Sequence, residues 1–190
     1  MYTKLVHFSK NFLQRVKHSC RALSYVHNPG KEGLLPLTLG KLLENAATQY
    51  GEKTAIISVY DNRRFSFNDV FNESQKLAAA LHSLGLQKGD RVGLWMPNII
   101  EFVTTLFAAS QGGFIAVSLN PLYIERDLQY CIEKVGIKAL ICLENYRNIH
   151  FYDTLTNLLP ELKNSKLGKL NSKRAPCLKS VITISNNSLR

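Results

Sequence analysis

GDRVGLWMPNIIEFVTTLFAASQGGFIAVSLNP, residues 89–121, reads as strand, helix, glycine break and strand. Asp90 to Trp95 is the first strand. Pro97-Asn98 turns the chain, Asn98 stands where a helix cap belongs, and Glu101 completes a capping box three residues on. The helix is apolar nearly all round, with a narrow polar stripe of Glu101, Thr104 and Thr105, as for a helix buried against a sheet. Gly112-Gly113 ends it. Phe114 to Leu119 has few polar residues, as central parallel strands do. A strand, a covering helix and a second such strand form the unit of a parallel sheet.

The same grammar extends in both directions. Upstream, Leu39 to Tyr50 carries Leu39, Leu42, Leu43, Ala46 and Ala47 on one stripe, with Gly51 as its stop. Thr54 to Tyr60 is β-rich, Asp61-Asn62 signals a turn, and Arg64 to Ser66 reads as a short returning strand. Ser66 and Asp69 form a capping box for a long helix whose apolar residues run from Phe67 to Leu84, and Gly85 supplies the left-handed stop. Downstream, Glu125 to Val135 is a helix with acids first, Lys134 last and Gly136 after it. Lys138 to Leu143 is a strand, Phe151 to Leu159 a weaker helix, Lys163 to Arg174 a basic loop, and Ser180 to Ser185 a strand with no later element to cover it. Strands alternating with helices give an α/β, three-layer architecture with a largely parallel sheet flanked by helices. There is no internal repeat.

Size and charge narrow the function. The chain has 190 residues, 45% hydrophobic and 20% charged, which suffices for one domain with a core. Its net charge of +10 sits at the ends. Residues 1–24 hold five Lys/Arg and no acid; residues 162–190 hold seven and no acid. Between them stand twelve basic and fourteen acidic residues, a net of −2. A nucleic-acid domain would carry its basic face within the folded part, so no nucleic-acid partner is expected. Residues 1–24 place Leu5, Phe8, Phe12, Leu13 and Val16 on one side of a helical wheel and Lys4, Lys10, Arg15, Lys17 and Arg21 on the other. That is the composition of a mitochondrial targeting segment, with Arg21-Ala22-Leu23-Ser24 as a removal site. The expected localisation is the mitochondrial matrix, with peripheral membrane contact possible through this basic N-terminus. Residues 25–36 are a linker. No run of about 20 apolar residues predicts a transmembrane span.

The chemistry-bearing motifs of α/β proteins are absent from the 190 residues. No GxGxxG follows a strand, and no GxxxxGK[ST], GxSxG or HExxH occurs. Cys20, Cys131, Cys142 and Cys177 show no metal-ligand spacing, and a buried free thiol is expected at Cys131 and Cys142. The five histidines pair with no carboxylate or cysteine in a known motif. Asn72-Glu73-Ser74 and Asn186-Asn187-Ser188 match the glycosylation sequon, which is common by chance.

Two segments nevertheless carry a resemblance. Arg64-Phe65-Ser66-Phe67-Asn68-Asp69-Val70 is similar to the first core motif of the adenylate-forming acyl-CoA synthetases, with Phe67 for its Tyr and Asp69 for its Glu. Phe107 to Pro121 resembles the second core motif, ending in Asn120-Pro121. Gly89-Asp90-Arg91-Val92 and Met96-Pro97-Asn98 lie between them; Glu125, Leu128 and Tyr130 match a third, looser motif. Lys134 to Ile141 and Pro176 to Ile182 look most like the mitochondrial medium-chain branch, whose mature start Ser24-Tyr25-Val26-His27 fits.

The resemblance implies an N-terminal part of the AMP-binding synthetase domain over residues 37–190, an incomplete N-terminal domain of the adenylate-forming fold. The family joins a carboxylic acid to ATP, forming an acyl-adenylate, and passes the acyl group to coenzyme A. Fatty acid, ATP, Mg and CoA are therefore implied for a complete enzyme. The family's Thr-Ser-Gly-Thr-Thr-Gly loop, magnesium acid, ribose aspartate and mobile lysine match nothing here, so no catalytic, cofactor-binding or metal-binding residue is assigned and the isolated chain is expected to be inactive. The alternative expectation is a non-catalytic binding or regulatory protein that docks on a full-length synthetase or on membrane.

Overall fold

The computed structural model describes residues 30, 31, 33–59, 62–166 and 168–185. The basic segment 1–24, half of the linker, the Tyr60-Asp61 part of the first turn and the second sequon lie outside them. The chain divides into units of residues 1–36 and 37–190, and the fold below is that of the second.

Helix α1 (Leu39–Tyr50) starts where the Thr38 hydroxyl accepts the Lys41 N–H at 3.2 Å. It ends at Gly51, which is right-handed rather than the left-handed stop expected. Close approach fixes this glycine instead: a β-carbon there would lie 2.8 Å from the Ala47 carbonyl oxygen and against the Asn68 amide. Strands β1 (Thr54–Ser58) and β2 (Arg63–Ser66) pair antiparallel as a hairpin. Helix α2 (Phe67–Ser83) begins with the expected capping box: Asp69 N–H donates to Ser66 Oγ at 3.1 Å, and Ser66 N–H to Asp69 Oδ2 at 2.8 Å.

Next come β3 (Arg91–Trp95), α3 (Ile100–Gly112), β4 (Ile115–Ser118), α4 (Glu125–Val135) and β5 (Ile137–Leu143). Gly113 and Gly136 take the left-handed conformation that stops α3 and α4. A hairpin of β6 (Asn145–Tyr146) and β7 (Ile149–His150), turning through left-handed Arg147, leads into α5 (Phe151–Leu158) and a 3-10 turn (Pro160–Asn164). Strand β8 (Ser180–Ile184) follows the basic loop.

The main sheet has the order β4-β3-β5-β8, parallel throughout. The connection β3-α3-β4 runs one way along it; β4-α4-β5 and β5-α5-β8 run the other. Right-handed crossovers then put α3 on one face and α4 and α5 on the opposite one. Helices α1 and α2 pack with α3, and α4 packs with α5. The three-layer α/β reading holds. The core lies between the layers, where Leu81, Leu94, Leu128, Ile132, Leu140 and Leu155 are fully buried.

Two local expectations fail. Phe114 to Leu119 is not central: β4 is an edge strand among the described residues, and Ile115 is 51% exposed. Asn98 does not cap α3; the cap position falls to Ile99, whose N–H is held by the Pro97 carbonyl at 2.9 Å, so no side chain caps there. Thr104 and Thr105 of the narrow polar stripe are themselves buried, in keeping with a helix packed against a sheet. The Thr104 hydroxyl donates to the Glu101 carbonyl at 3.1 Å, so its polarity is met within the helix.

Candidate functional site

In parallel α/β sheets ligands gather beyond the carboxyl ends of the strands, where neighbouring connections diverge. Here that point is the crest between β3 and β5. Two buried aromatic side chains pack there. Trp95, fully buried at the end of β3, meets Phe151 edge-on at 4.8 Å between ring centroids and donates its indole N–H to the Asn120 carbonyl at 3.0 Å.

The loops around this crest come from the motifs singled out in the sequence. The Leu119 N–H donates to the Leu94 carbonyl at 2.9 Å, which sets Asn120-Pro121 beside Met96-Pro97-Asn98. Asn120 then folds its own loop: Oδ1 accepts the Leu122 N–H at 3.0 Å and its carbonyl accepts the Tyr123 N–H at 3.1 Å. The Tyr123 phenol lies against the Cys131 thiol; the charge of that neighbour and its hydrogen bond raise the phenol above its ordinary pKa of 10.0.

The first motif, Arg64 to Val70, stays apart at the β2-α2 junction, where Ser66 and Asp69 serve only the cap. A link the sequence did not reveal ties this region to the crest. Arg63 grips Glu101 with two bonds, Nη1 to Oε1 at 2.7 Å and Nη2 to Oε2 at 3.1 Å. Glu101 was read as a capping partner, and its acid at a helix start was the only signal available.

At the other end of the sheet Asp90 receives the Lys138 ammonium at 2.6 Å and the Gln87 N–H at 2.6 Å. Burial works to raise the Asp90 carboxyl, but these hydrogen bonds and the charges of Lys138 and Arg91 outweigh it, so its pKa lies below 3.8. A cleft of about 570 Å³ opens between α1, α2 and α3, lined by Lys41, Glu44, Gln75, Ser110 and Gln111 among others. Gln111 buries both polar atoms of its amide there without a hydrogen-bond partner.

These groups position backbone. Cys142 is fully buried, and burial pushes its thiol up to about 12, away from nucleophilic use. Cys131 and Cys177 are half-buried, so the burial expected of Cys131 is only partial. Among the described residues no three His, Cys, Asp or Glu side chains gather to hold a metal ion, and no helix is long and apolar enough to cross a membrane.

Residues 43–188 match a family described as AMP-binding enzyme. Over 162 residues the chain is 39% identical to the mitochondrial medium-chain acyl-CoA ligase ACSF2 of Macaca fascicularis and 38% identical to that of Homo sapiens, covering 85% of this chain and 26% of each relative. It is 33% identical to a putative acyl-CoA synthetase, YngI, of Bacillus subtilis, over 82% of this chain and 28% of that protein. The chain thus spans about a quarter of the length of these relatives. Among solved structures, a long-chain-fatty-acid-CoA ligase from Archaeoglobus fulgidus superposes with a TM-score of 0.65 at 22% identity, over 86% of this chain and 30% of that one. The N-terminal domain of FACL13 from Mycobacterium tuberculosis gives 0.63 at 20%, over 77% and 34%. Both are likenesses of fold.

Proposed function

The chain belongs to the AMP-binding enzyme family, and from that premise we propose that it supplies the N-terminal part of a mitochondrial acyl-CoA synthetase. The reaction is activation of a medium-chain fatty acid with ATP to an acyl-adenylate, then transfer to coenzyme A. The observation that carries the reading is identity of 33–39% over more than 150 residues to acyl-CoA ligases and synthetases. The contribution of these residues is structural. They frame the crest with Trp95, Asn120 and Phe151 and fix the loops beside it. No nucleotide or metal step is routed through them, and the 190 residues by themselves are proposed to be inactive.

The experiment is a chimera in which residues 37–185 replace the matching segment of the human medium-chain ligase. It should fold and form octanoyl-CoA within about tenfold of the parent rate. A folded chimera without thioester formation would overturn the reading. The basic amphipathic segment 1–24 supports a mitochondrial matrix destination. A fluorescent fusion of residues 1–36 that stays in the cytosol contradicts that part.

A further inference from the structure

We infer that the basic loop before β8 is a docking face for an anionic bilayer surface. Residues 162–185 carry Lys163, Lys166, Lys169, Lys173, Arg174 and Lys179 and no acid. All but Lys179 are exposed. None of the six makes an ion pair with a described acid, whereas Lys41, Arg63, Lys76 and Lys138 each do.

The loop is held in place rather than trailing. The Lys169 N–H donates to the Lys166 carbonyl at 3.0 Å, closing a turn. The Leu170 N–H donates to the Lys179 carbonyl at 3.0 Å, and the Lys179 N–H to the Lys138 carbonyl at 2.8 Å. Leu170 and Leu178 are buried beneath it. These bonds hold Lys169 and Lys179 near the amino-terminal edge of the sheet, opposite the crest, while Arg174 lies against the helix layer, its Nη1 donating to the Leu158 carbonyl at 3.2 Å and its own carbonyl accepting from Gln129 Nε2 at 3.3 Å.

Three classes of partner answer to such charge. Nucleic acid is gripped by aromatic side chains interleaved with the cations when single-stranded and by a helix or β-ribbon laid in a groove when duplex; residues 153–190 contain no aromatic residue, and the described residues of 165–179 form no helix or strand. A protein interface is anchored by large apolar or aromatic side chains. The described residues of 163–185 expose no large hydrophobic side chain. What remains is charge without anchors or pockets, which suits an anionic bilayer, where each cation near the surface adds affinity and none needs a defined site.

The test uses the full chain and sedimentation with vesicles of pure phosphatidylcholine or with about 30% phosphatidylserine. Binding is expected only to the anionic vesicles and should fall steeply between about 0.1 and 0.5 M salt. Substituting Lys163, Lys166, Lys169 and Lys173 by Gln should weaken it by at least about tenfold, while Arg at the same four positions should preserve it. An unchanged circular dichroism melt separates loss of charge from loss of fold. A Gln variant within about twofold of the parent overturns the inference, above all if Gln at Lys4, Lys10 and Arg15 abolishes binding. Tighter binding to duplex or single-stranded DNA than to the vesicles would also overturn it.

Discussion

At the scale of single residues, pairing rules hold where both partners are close in sequence and fail where one is distant. Ser66 and Asp69 lie three apart, so their capping box was legible and is formed. Asp69 titrates below its ordinary 3.8, chiefly through the hydrogen bond from the Ser66 backbone. Ser66→Ala removes the side-chain half of the box and should cost about 1 kcal/mol, read as a lower urea midpoint. Glu101 shows the converse. Its spacing from Asn98 promised a box, but its carboxylate is taken by Arg63, 38 residues earlier, which no local pattern announces. The Asp90–Lys138 pair is equally invisible in sequence, spanning 48 residues. It has a pH signature. Because the folded pKa of Asp90 lies below 3.8, the pair's stabilisation is complete above that value and is lost as pH falls through the folded pKa. Wild type should therefore lose more stability than Asp90→Asn between about pH 5 and pH 3, and parallel urea midpoints would contradict this.

At the scale of elements, periodicity found the α-helices and the parallel strands of the described residues, because apolar spacing and glycine stops are local properties. The position of a strand in the sheet is not. Residues 115–118, Ile-Ala-Val-Ser, have the apolar composition of a central strand, yet β4 pairs only with β3 among the described residues. β8 at the other margin pairs only with β5 among the described residues. Neither strand carries a charge or a proline, the devices by which edge strands resist pairing with another chain. Near β4, Ile115, Leu122 and Ile124 are 51%, 73% and 65% exposed. The purified chain should therefore self-associate at about 100 μM. Lys at Ile115 and Thr183, two exposed strand positions, should shift sedimentation velocity profiles toward monomer. A wild-type profile that is already monomeric at that concentration refutes the edge argument.

At the scale of the whole molecule, architecture and chemistry separate. The α/β class and its covering helices follow from alternation of elements, and the motif resemblance agrees with the AMP-binding family match over residues 43–188. The candidate site was less legible, because its groups act through tertiary placement: Trp95 fills the crest only by meeting Phe151, 56 positions on, and the Asn120 carbonyl. What the assembled crest lacks decides the last prediction. Forming an acyl-adenylate requires donors and cations preorganised around developing phosphate charge, and removing one such donor in an enzyme costs about 10²–10³ in rate. The 190 residues contain no glycine-rich phosphate cradle, and their described part gathers no metal-holding cluster. A chain that supplies none of these groups reacts near the uncatalysed rate. The purified chain supplied with ATP, magnesium, octanoate and coenzyme A should form no octanoyl-CoA above an enzyme-free control, and should not exchange labelled pyrophosphate into ATP. Exchange without thioester would locate an adenylating site in these residues, and thioester formation would place both half-reactions there; either result defeats the structural role proposed for them.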